Sequence, residues 1–319
     1  MKQNNYLLNL LKVTIFSFLL IATAPVRAEI KVVTTIKPLH SLVANVMDGI
    51  GEPGLIIDGS ISPHSFTMKP SHAKMLEEAD VIFWIGEGIE TSMEGPLDSI
   101  AKGAEVIEFM ELDSITKLKF REESIFGDHD DHDDHDDHDD HDDHAGHEGH
   151  NHGEFDAHIW LDPSNAKEMV HEIAHELGDL DPANKDKYEA NAEATIIALD
   201  QLIKDVSKDI NKDAKFVVFH DAYQYFEERF GVRAAGALTL NTDVLPGAKQ
   251  IDEIQDVIKD RGINCIFSEP QFNPKIISTI AEDTNIKTGV FDPLGANINS
   301  DKDLYFKLIS NLGNELKGC

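Results

Sequence analysis

Residues 182–212 read PANKDKYEANAEATIIALDQLIKDVSKDINK, and this stretch decides the architecture predicted for the whole chain. After Pro182 it contains neither glycine nor a further proline, and apolar side chains recur at helical spacing from Tyr188 to Ile210. It therefore predicts a single helix of roughly 45 Å, because each helical residue adds about 1.5 Å of rise. A connection of this kind would hold two lobes at a fixed distance and limit hinge motion.

Short β-rich runs alternate with helical patterns on both sides of this helix. The predicted strands are residues 30–35, 54–57, 81–85 and 105–109 in the first half, and 216–219, 232–238, 265–268 and 288–291 in the second. Alternating strand and helix implies a parallel sheet in each half. The sequence thus predicts an α/β protein with two parallel-sheet lobes, residues 29–181 and 213–319, joined by one long rigid helix, residues 182–212.

The beginning of the chain predicts export. Lys2 precedes a mostly apolar run, and Val26 and Ala28 stand at the positions expected just before a signal-peptide cleavage site. An uncleaved membrane anchor is the alternative, since the apolar run is almost long enough to span a bilayer. We expect residues 1–28 to be a signal peptide, cleaved near Ala28, and the mature protein to be soluble in the periplasm.

The chain is strongly acidic, with a formal net charge of −31 at pH 7. Such a surface repels phosphate backbones, which excludes nucleic acid as a partner, and it attracts cationic ligands. Residues 128–152 form a low-complexity run of histidine and aspartate with almost no apolar side chains, so we expect a disordered loop. Its imidazoles and carboxylates would supply several weak, exchanging sites for metal ions such as zinc, although a solvated loop with no function is the alternative.

Cys265 and Cys319 are the two cysteines of the sequence. An even pair of cysteines is expected to be bridged in an oxidising compartment, whereas two free thiols are the alternative. A disulfide between them would tie down the last helix.

Four polar residues occupy positions where a metal site is expected. His64 follows a predicted strand, His220 and Asp292 end two others, and His158 lies just before a helix start. In open parallel sheets, ligands bind in the crevice outside the carboxyl ends of the strands. Three imidazoles and one carboxylate form a ligand set suited to zinc. We expect Glu269, near the same crevice, to be a hydrogen-bonding partner rather than a ligand.

Five short motifs carry a resemblance to a known family. They are SPHSF at 62–66, HIWLDP at 158–163, FHDAY at 219–223, SEPQF at 268–272 and DPLG at 292–295. Together they resemble the zinc-specific solute-binding proteins of ABC transporters, and the likeness runs in order from about Ile30 to Cys319. The resemblance implies two α/β lobes with the metal in the cleft between them. It also implies a monomer that captures zinc and delivers it to a membrane permease.

The resemblance further implies the ligands. The metal-binding histidines of the family match His64, His158 and His220. Some members complete the set with a carboxylate that matches Asp292, and others with a glutamate before the first histidine, where this chain has Pro63. The fourth ligand is therefore expected to be Asp292 or a water molecule. Manganese-binding relatives have a carboxylate in place of His220, so the histidine favours zinc.

One motif indicates a different class of protein. His171-Glu172-Ile173-Ala174-His175 matches the HExxH pattern of zinc proteases, in which two histidines bind zinc and the glutamate activates water. However, both histidines lie opposite the apolar stripe of their predicted helix and should face solvent. A secreted zinc hydrolase and a periplasmic zinc buffer without a transporter remain the alternatives. We find no nucleophile–base pair, phosphate-binding loop or cofactor motif, so the sequence assigns no catalysis.

Overall fold

A computed structural model describes residues 30–125, 154–240, 242 and 246–319 of the chain. The predicted signal peptide, residues 1–28, and the histidine- and aspartate-rich run, residues 128–152, lie outside the described residues. No helix among the described residues combines the length and the apolar character that crossing a bilayer requires.

The first half of the chain forms a four-stranded parallel sheet. Its strands are β1 (Val32–Ile36), β2 (Gly54–Ile57), β3 (Val81–Trp84) and β4 (Glu105–Glu108), in the order β2-β1-β3-β4. The two central strands are buried at every position, as expected for parallel strands that are covered on both faces. The helices of this half are α1 (Lys37–Val46), α2 (Pro70–Glu78), α3 (Glu87–Glu90) and α4 (Glu94–Ile100).

Two long helices follow and pack side by side: α5 (Pro163–Leu180) and α6 (Lys185–Asp209). Asp162 caps α5, since its side chain accepts a hydrogen bond from the Ser164 N–H, and Pro163 occupies the first turn. Helix α6 is the predicted connecting helix. It is shorter than expected because residues 182–184 form a turn, so that it spans about 37 Å rather than 45 Å.

The second half repeats the parallel sheet. Its strands are β5 (Phe216–His220), β6 (Ala237–Thr239), β7 (Cys265–Ser268) and β8 (Lys287–Val290), in the order β6-β5-β7-β8. The helices α7 (Gln224–Phe230), α8 (Ala248–Asp260) and α9 (Lys275–Thr284) accompany them, and α10 (Leu304–Leu316) ends the chain. The predicted strand at 232–238 begins only at Ala237, because Gly231 ends α7 in a left-handed conformation and an irregular segment follows.

The C-terminal helix connects the two halves. Helix α10 packs against α1 and α6, and the Tyr305 hydroxyl donates a hydrogen bond to the Trp160 carbonyl. One large hydrophobic core accordingly contains residues from both sheets, whereas a smaller core lies between the second sheet and helices α8 and α9. The predicted disulfide between Cys265 and Cys319 is confirmed, and it fastens the end of the chain to β7. The exact boundaries of the two lobes stay a prediction.

Candidate metal centre

Three of the four predicted ligands come together at the carboxyl ends of the strands. His64 lies in the short helical turn Pro63–Ser65 after β2, His158 directly precedes the turn Ile159–Leu161, and His220 is the last residue of β5. One ring nitrogen from each histidine lies within 4.8 Å of those of the other two. His158 and His220 are buried and His64 is partly buried. The three side chains therefore face a common point between the two sheets.

The spacing of two of these nitrogens matches a tetrahedral zinc site. The Nε2 atoms of His158 and His220 lie 3.3 Å apart. Zinc–nitrogen bonds of about 2.0–2.1 Å place two ligands of a tetrahedron about 3.3–3.4 Å apart. The pair is thus already separated by the distance that zinc requires.

A buried carboxylate holds each of these two rings. Nδ1 of His158 lies 2.7 Å from the Asp156 carboxylate, and Nδ1 of His220 lies 2.6 Å from the Glu269 carboxylate. A carboxylate accepts a hydrogen bond from Nδ1–H, which keeps the proton of the neutral ring on Nδ1 and leaves Nε2 with a lone pair. Both lone pairs then point at the same place, where they repel unless a cation lies between them. This is the outer-shell arrangement of metal-bound histidines.

Opposing effects set the proton affinity of His220. Burial lowers its pKa, but the charge of Glu269 and the hydrogen bond to it outweigh burial, so the pKa is raised overall. The Glu269 carboxylate also accepts a hydrogen bond from the backbone N–H of His220, which fixes the end of β5. The prediction that Glu269 is a hydrogen-bonding partner is therefore confirmed.

Asp292, the fourth predicted ligand, does not belong to the group of converging ligand atoms. Its carboxylate accepts hydrogen bonds from the backbone N–H groups of Leu294, Gly295 and Ala296 and from the Gln271 side chain. This loop is also held from the other side. The buried Lys37 ammonium donates hydrogen bonds to three carbonyl groups of residues 295–298. Asp292 thus organises its loop in this structure, and its role as a ligand stays a prediction.

Two cavities meet at the histidines. One, of about 180 Å³, is lined by all three together with Phe120, Arg121 and Leu240 among others. The other, on the side of Glu269 and Trp160, measures about 10 Å³. A volume of roughly 10–15 Å³ is the minimum that holds one water molecule, so water or a hydrated ion reaches the histidines from the larger cavity.

Helix α7 attaches the segment that carries His158 to the second half of the protein. The Tyr225 hydroxyl donates to the Asp156 carbonyl, and Arg229 forms a bidentate ion pair with Asp162. Next to them, Arg121 bridges the buried carboxylates of Asp221 and Glu227. Burial raises the pKa of Asp221 to about 7, although Arg121 opposes that shift. His158 is therefore fastened to both halves, because its turn also packs against α5 and the Asp156 N–H donates to the Leu118 carbonyl, while His64 comes from the first sheet.

The HEIAH motif is placed elsewhere. His171 and His175 are exposed on α5, as their positions opposite the apolar stripe predicted. His40 and His72 are not among the converging ligands of the described residues. The sequence reasoning missed Asp156, whose signal is its position two residues before His158, and Arg121, which lies a few residues before the histidine- and aspartate-rich run.

Comparison with known proteins gives one consistent result. The family described as the periplasmic component A of zinc-uptake complexes, ZnuA, matches residues 32–319. The high-affinity zinc uptake system protein ZnuA of Brucella abortus is 49% identical over 90% of this chain and 91% of the relative. Its counterpart in Yersinia pestis is 33% identical over 95% of both chains. Among solved structures, a crystal structure of ZnuA shares the fold with a TM-score of 0.71, at 22% identity over 90% of this chain and 98% of the other.

Proposed function

The chain belongs to the ZnuA family of periplasmic zinc-uptake components, and from this premise we propose that it captures zinc in the periplasm for a membrane permease. In this role it is the solute-binding component of an ABC transporter and zinc is its cargo. Its work is binding and delivery rather than catalysis.

The observation that carries the proposal is the pair of carboxylate-bound histidines with Nε2 atoms 3.3 Å apart. Because Asp156 and Glu269 fix the ring orientation before a metal arrives, little ordering has to accompany binding. Preorganised ligands bind metal more tightly for that reason. His64 supplies the third nitrogen from the opposite sheet.

We propose His64, His158 and His220 as the zinc ligands, with Asp292 or water as the fourth. Water needs no rearrangement, because the larger cavity reaches all three histidines. Asp292 would have to give up hydrogen bonds that it accepts from its own loop. The described geometry therefore favours water, and Asp292 becomes a ligand only if the loop at 292–296 changes conformation.

The division of the ligands between two bodies suggests how zinc is exchanged. Side chains of α7 hold the segment of His158 beside β5, which ends in His220, and the two histidines offer two nitrogens to an incoming ion. His64 adds the third ligand nitrogen from the first sheet. A small separation of the sheets would remove one ligand and open the larger cavity, without taking apart the pair. We propose that docking on the permease triggers this separation.

Several features of the whole chain accompany this role. The net charge of −31 raises the concentration of cations near the surface. Residues 1–28 are removed during export, which N-terminal sequencing of the periplasmic protein would establish. The mature protein acts as a monomer, which light scattering of the purified protein would test.

The ligand assignment is tested by replacing each proposed histidine with alanine. Each of H64A, H158A and H220A should weaken the tight site by about tenfold or more, because zinc loses a direct ligand. Competition calorimetry against a chelator measures the change, and H72A, which removes an imidazole outside the cluster, serves as the control. Unchanged tight binding in all three variants would end the assignment.

A genetic experiment separates transport from buffering. Expression of the chain should restore growth of a binding-protein deletion strain on zinc-depleted medium only when the permease is present. A periplasmic buffer would instead give the same benefit with and without the permease, and that result would contradict the transport role.

A further inference from the structure

The outer face of helix α5 carries a second cluster of metal-ligating side chains, remote from the cleft. Glu172, His175 and Glu176 each present one ligand atom within 4.8 Å of the other two. Their spacing of three and four residues places them on one face of the helix. His175 lies roughly 18 Å along the helix axis from the first residue of α5. This cluster overlaps the HEIAH motif, to which the zinc-capture role assigns no purpose.

A groove between α5 and α6 gives an ion access to Glu172 and His175, the two members of this cluster that line it. The groove is open to solvent, has a volume of about 750 Å³ and is lined by His171, Glu172 and His175 from α5. Helix α6 contributes Glu189 and Glu193 to the opposite wall. A hydrated ion therefore enters freely and meets imidazole on one wall and carboxylates on both.

The charges around the cluster favour a cation. Lys185 is the ammonium group that lines the groove, and it pairs with Asp179 at 3.0 Å rather than with the cluster. A hydrogen bond to Glu176 raises the pKa of His175, helped by the charges of Asp179 and Glu172. Burial raises the pKa of Glu176, and Glu105 and Glu172 add to the rise. The carboxylates around His175 thus favour positive charge at this place, whether a proton or a divalent ion.

We propose that Glu172, His175 and Glu176 form a second, weaker binding site for a borderline divalent metal ion, with zinc as the available example. One imidazole and two carboxylates, completed by water, suit zinc and also nickel or copper. His171 lies one turn before His175 and supplies a further imidazole at the edge of the groove. The site differs from the cleft because its ligands are exposed or partly exposed, so metal there exchanges readily. The inference does not depend on the transport role.

The test follows individual histidines in the full chain during a zinc titration. Diethyl pyrocarbonate modifies imidazole nitrogens that are neutral and free of metal, and mass spectrometry of peptides reports each position. After one equivalent of zinc has filled the cleft, His175 should still be modified. Further zinc should then protect it, in the range of concentration that also protects the histidines of residues 128–152. Those histidines provide an internal positive control.

Charge-removing variants identify the carboxylates as ligands. In E172Q/E176Q, protection of His175 should require at least about tenfold more zinc, because two of the three protein ligands lose their negative charge. The matched control E77Q/E282Q removes the same two charges from exposed positions of other helices and should behave as the original protein. Retention of one tight zinc equivalent shows that each variant is folded.

Two results would overturn the proposal. One is protection of His175 in E172Q/E176Q at the same zinc concentration as in the control. The other is no protection of His175 at concentrations that fully protect residues 128–152.

Discussion

The substitution E269Q tests whether the carboxylate behind His220 sets the strength of the zinc site. Glu269 is 3% exposed, and its carboxylate lies 2.6 Å from Nδ1 of His220 and 3.2 Å from the backbone nitrogen. Glutamine has nearly the same shape and keeps an acceptor oxygen, so the substitution removes the charge and little else. The orientation of the ring is preserved, while its basicity falls.

The expected loss of zinc affinity at neutral pH and above is substantial. Removing an outer-shell partner of a metal ligand typically costs about 10–100-fold in affinity. This corresponds to about 1.4–2.7 kcal/mol of binding free energy. The bond to His220 is short, buried and charge-assisted, which places the expected loss in the upper part of this range.

The affinity deficit should shrink as the pH falls. In the original protein Glu269 raises the pKa of His220 against the effect of burial, so below that pKa zinc has to displace a proton. In E269Q, only the charges of Asp221 and Asp156 oppose burial, so the pKa of His220 falls and protons compete less with zinc in acid. The affinity of the original protein therefore falls more steeply in acid than that of the variant, and the two curves converge.

The metal-free proteins should show the opposite dependence. A raised folded-state pKa stabilises the fold fully below the unfolded-state pKa of histidine, about 6.5, and this contribution is lost as pH rises through the folded-state pKa. E269Q lacks it, so the variant should be less stable than the original protein mainly at acid pH. The deficit in unfolding free energy therefore grows in acid, where the deficit in zinc affinity shrinks.

Competition calorimetry and urea unfolding in the presence of a chelator, each from pH 5.5 to 8, measure the two curves. The control is E90Q, since Glu90 is equally buried but binds the N–H groups of Ile85 and Gly86 instead of a ligand. It should leave zinc affinity unchanged. An E269Q deficit that is constant across this pH range, or no deficit at all, would refute the reasoning.

Three further predictions concern the disulfide, the acidic run and the fourth ligand. Replacing Cys265 with serine should lower the unfolding free energy by up to about 4 kcal/mol in chemical denaturation, because the bridge to Cys319 closes a long loop. Two free thiols in the original protein, denatured without reduction, would contradict this. Deleting residues 128–152 should lower the zinc stoichiometry and leave one tight equivalent. In the undeleted protein, the weak zinc sites of this run should be lost below about pH 6.5, because histidine takes up a proton there. If water is the fourth ligand, D292N should weaken zinc by less than about tenfold; a larger loss at an unchanged unfolding midpoint would identify Asp292 as the ligand.

The sequence predicted the sheets because the pattern of a parallel strand is local. Runs such as Val81–Trp84 are apolar throughout and short, which identifies strands buried on both faces. It did not predict what the helices pack against. The apolar stripe of α6 shows that one face is buried, yet only the folded chain shows that α5 and α10 cover it. Partners of this kind depend on contacts between distant residues, which leave no local pattern.

The same distinction applies to the metal centre. The convergence of His64, His158 and His220 was predictable, since each stands at the carboxyl end of a strand or before a helix. Asp156 was not, because it lies in an irregular segment where no periodicity indicates the direction of a side chain. Asp292 stands at the same edge of the sheet as His220, but its carboxylate turns back to the N–H groups of its own loop. Strand ends therefore indicate which residues are near a site, and hydrogen bonds decide which of them face it.

In the proposed site, the two carboxylate–histidine pairs couple zinc binding to protons. With Asp156 and Glu269 each accepting a hydrogen bond from Nδ1–H, the Nε2 atoms of His158 and His220 lie 3.3 Å apart with their lone pairs converging. One cation between them removes the repulsion, and the available cations are a proton and a metal ion. Below the raised pKa of His220, zinc capture is an exchange of one for the other, so acidification favours release. The buried carboxylates thus strengthen the hold on zinc at neutral pH and make that hold dependent on pH.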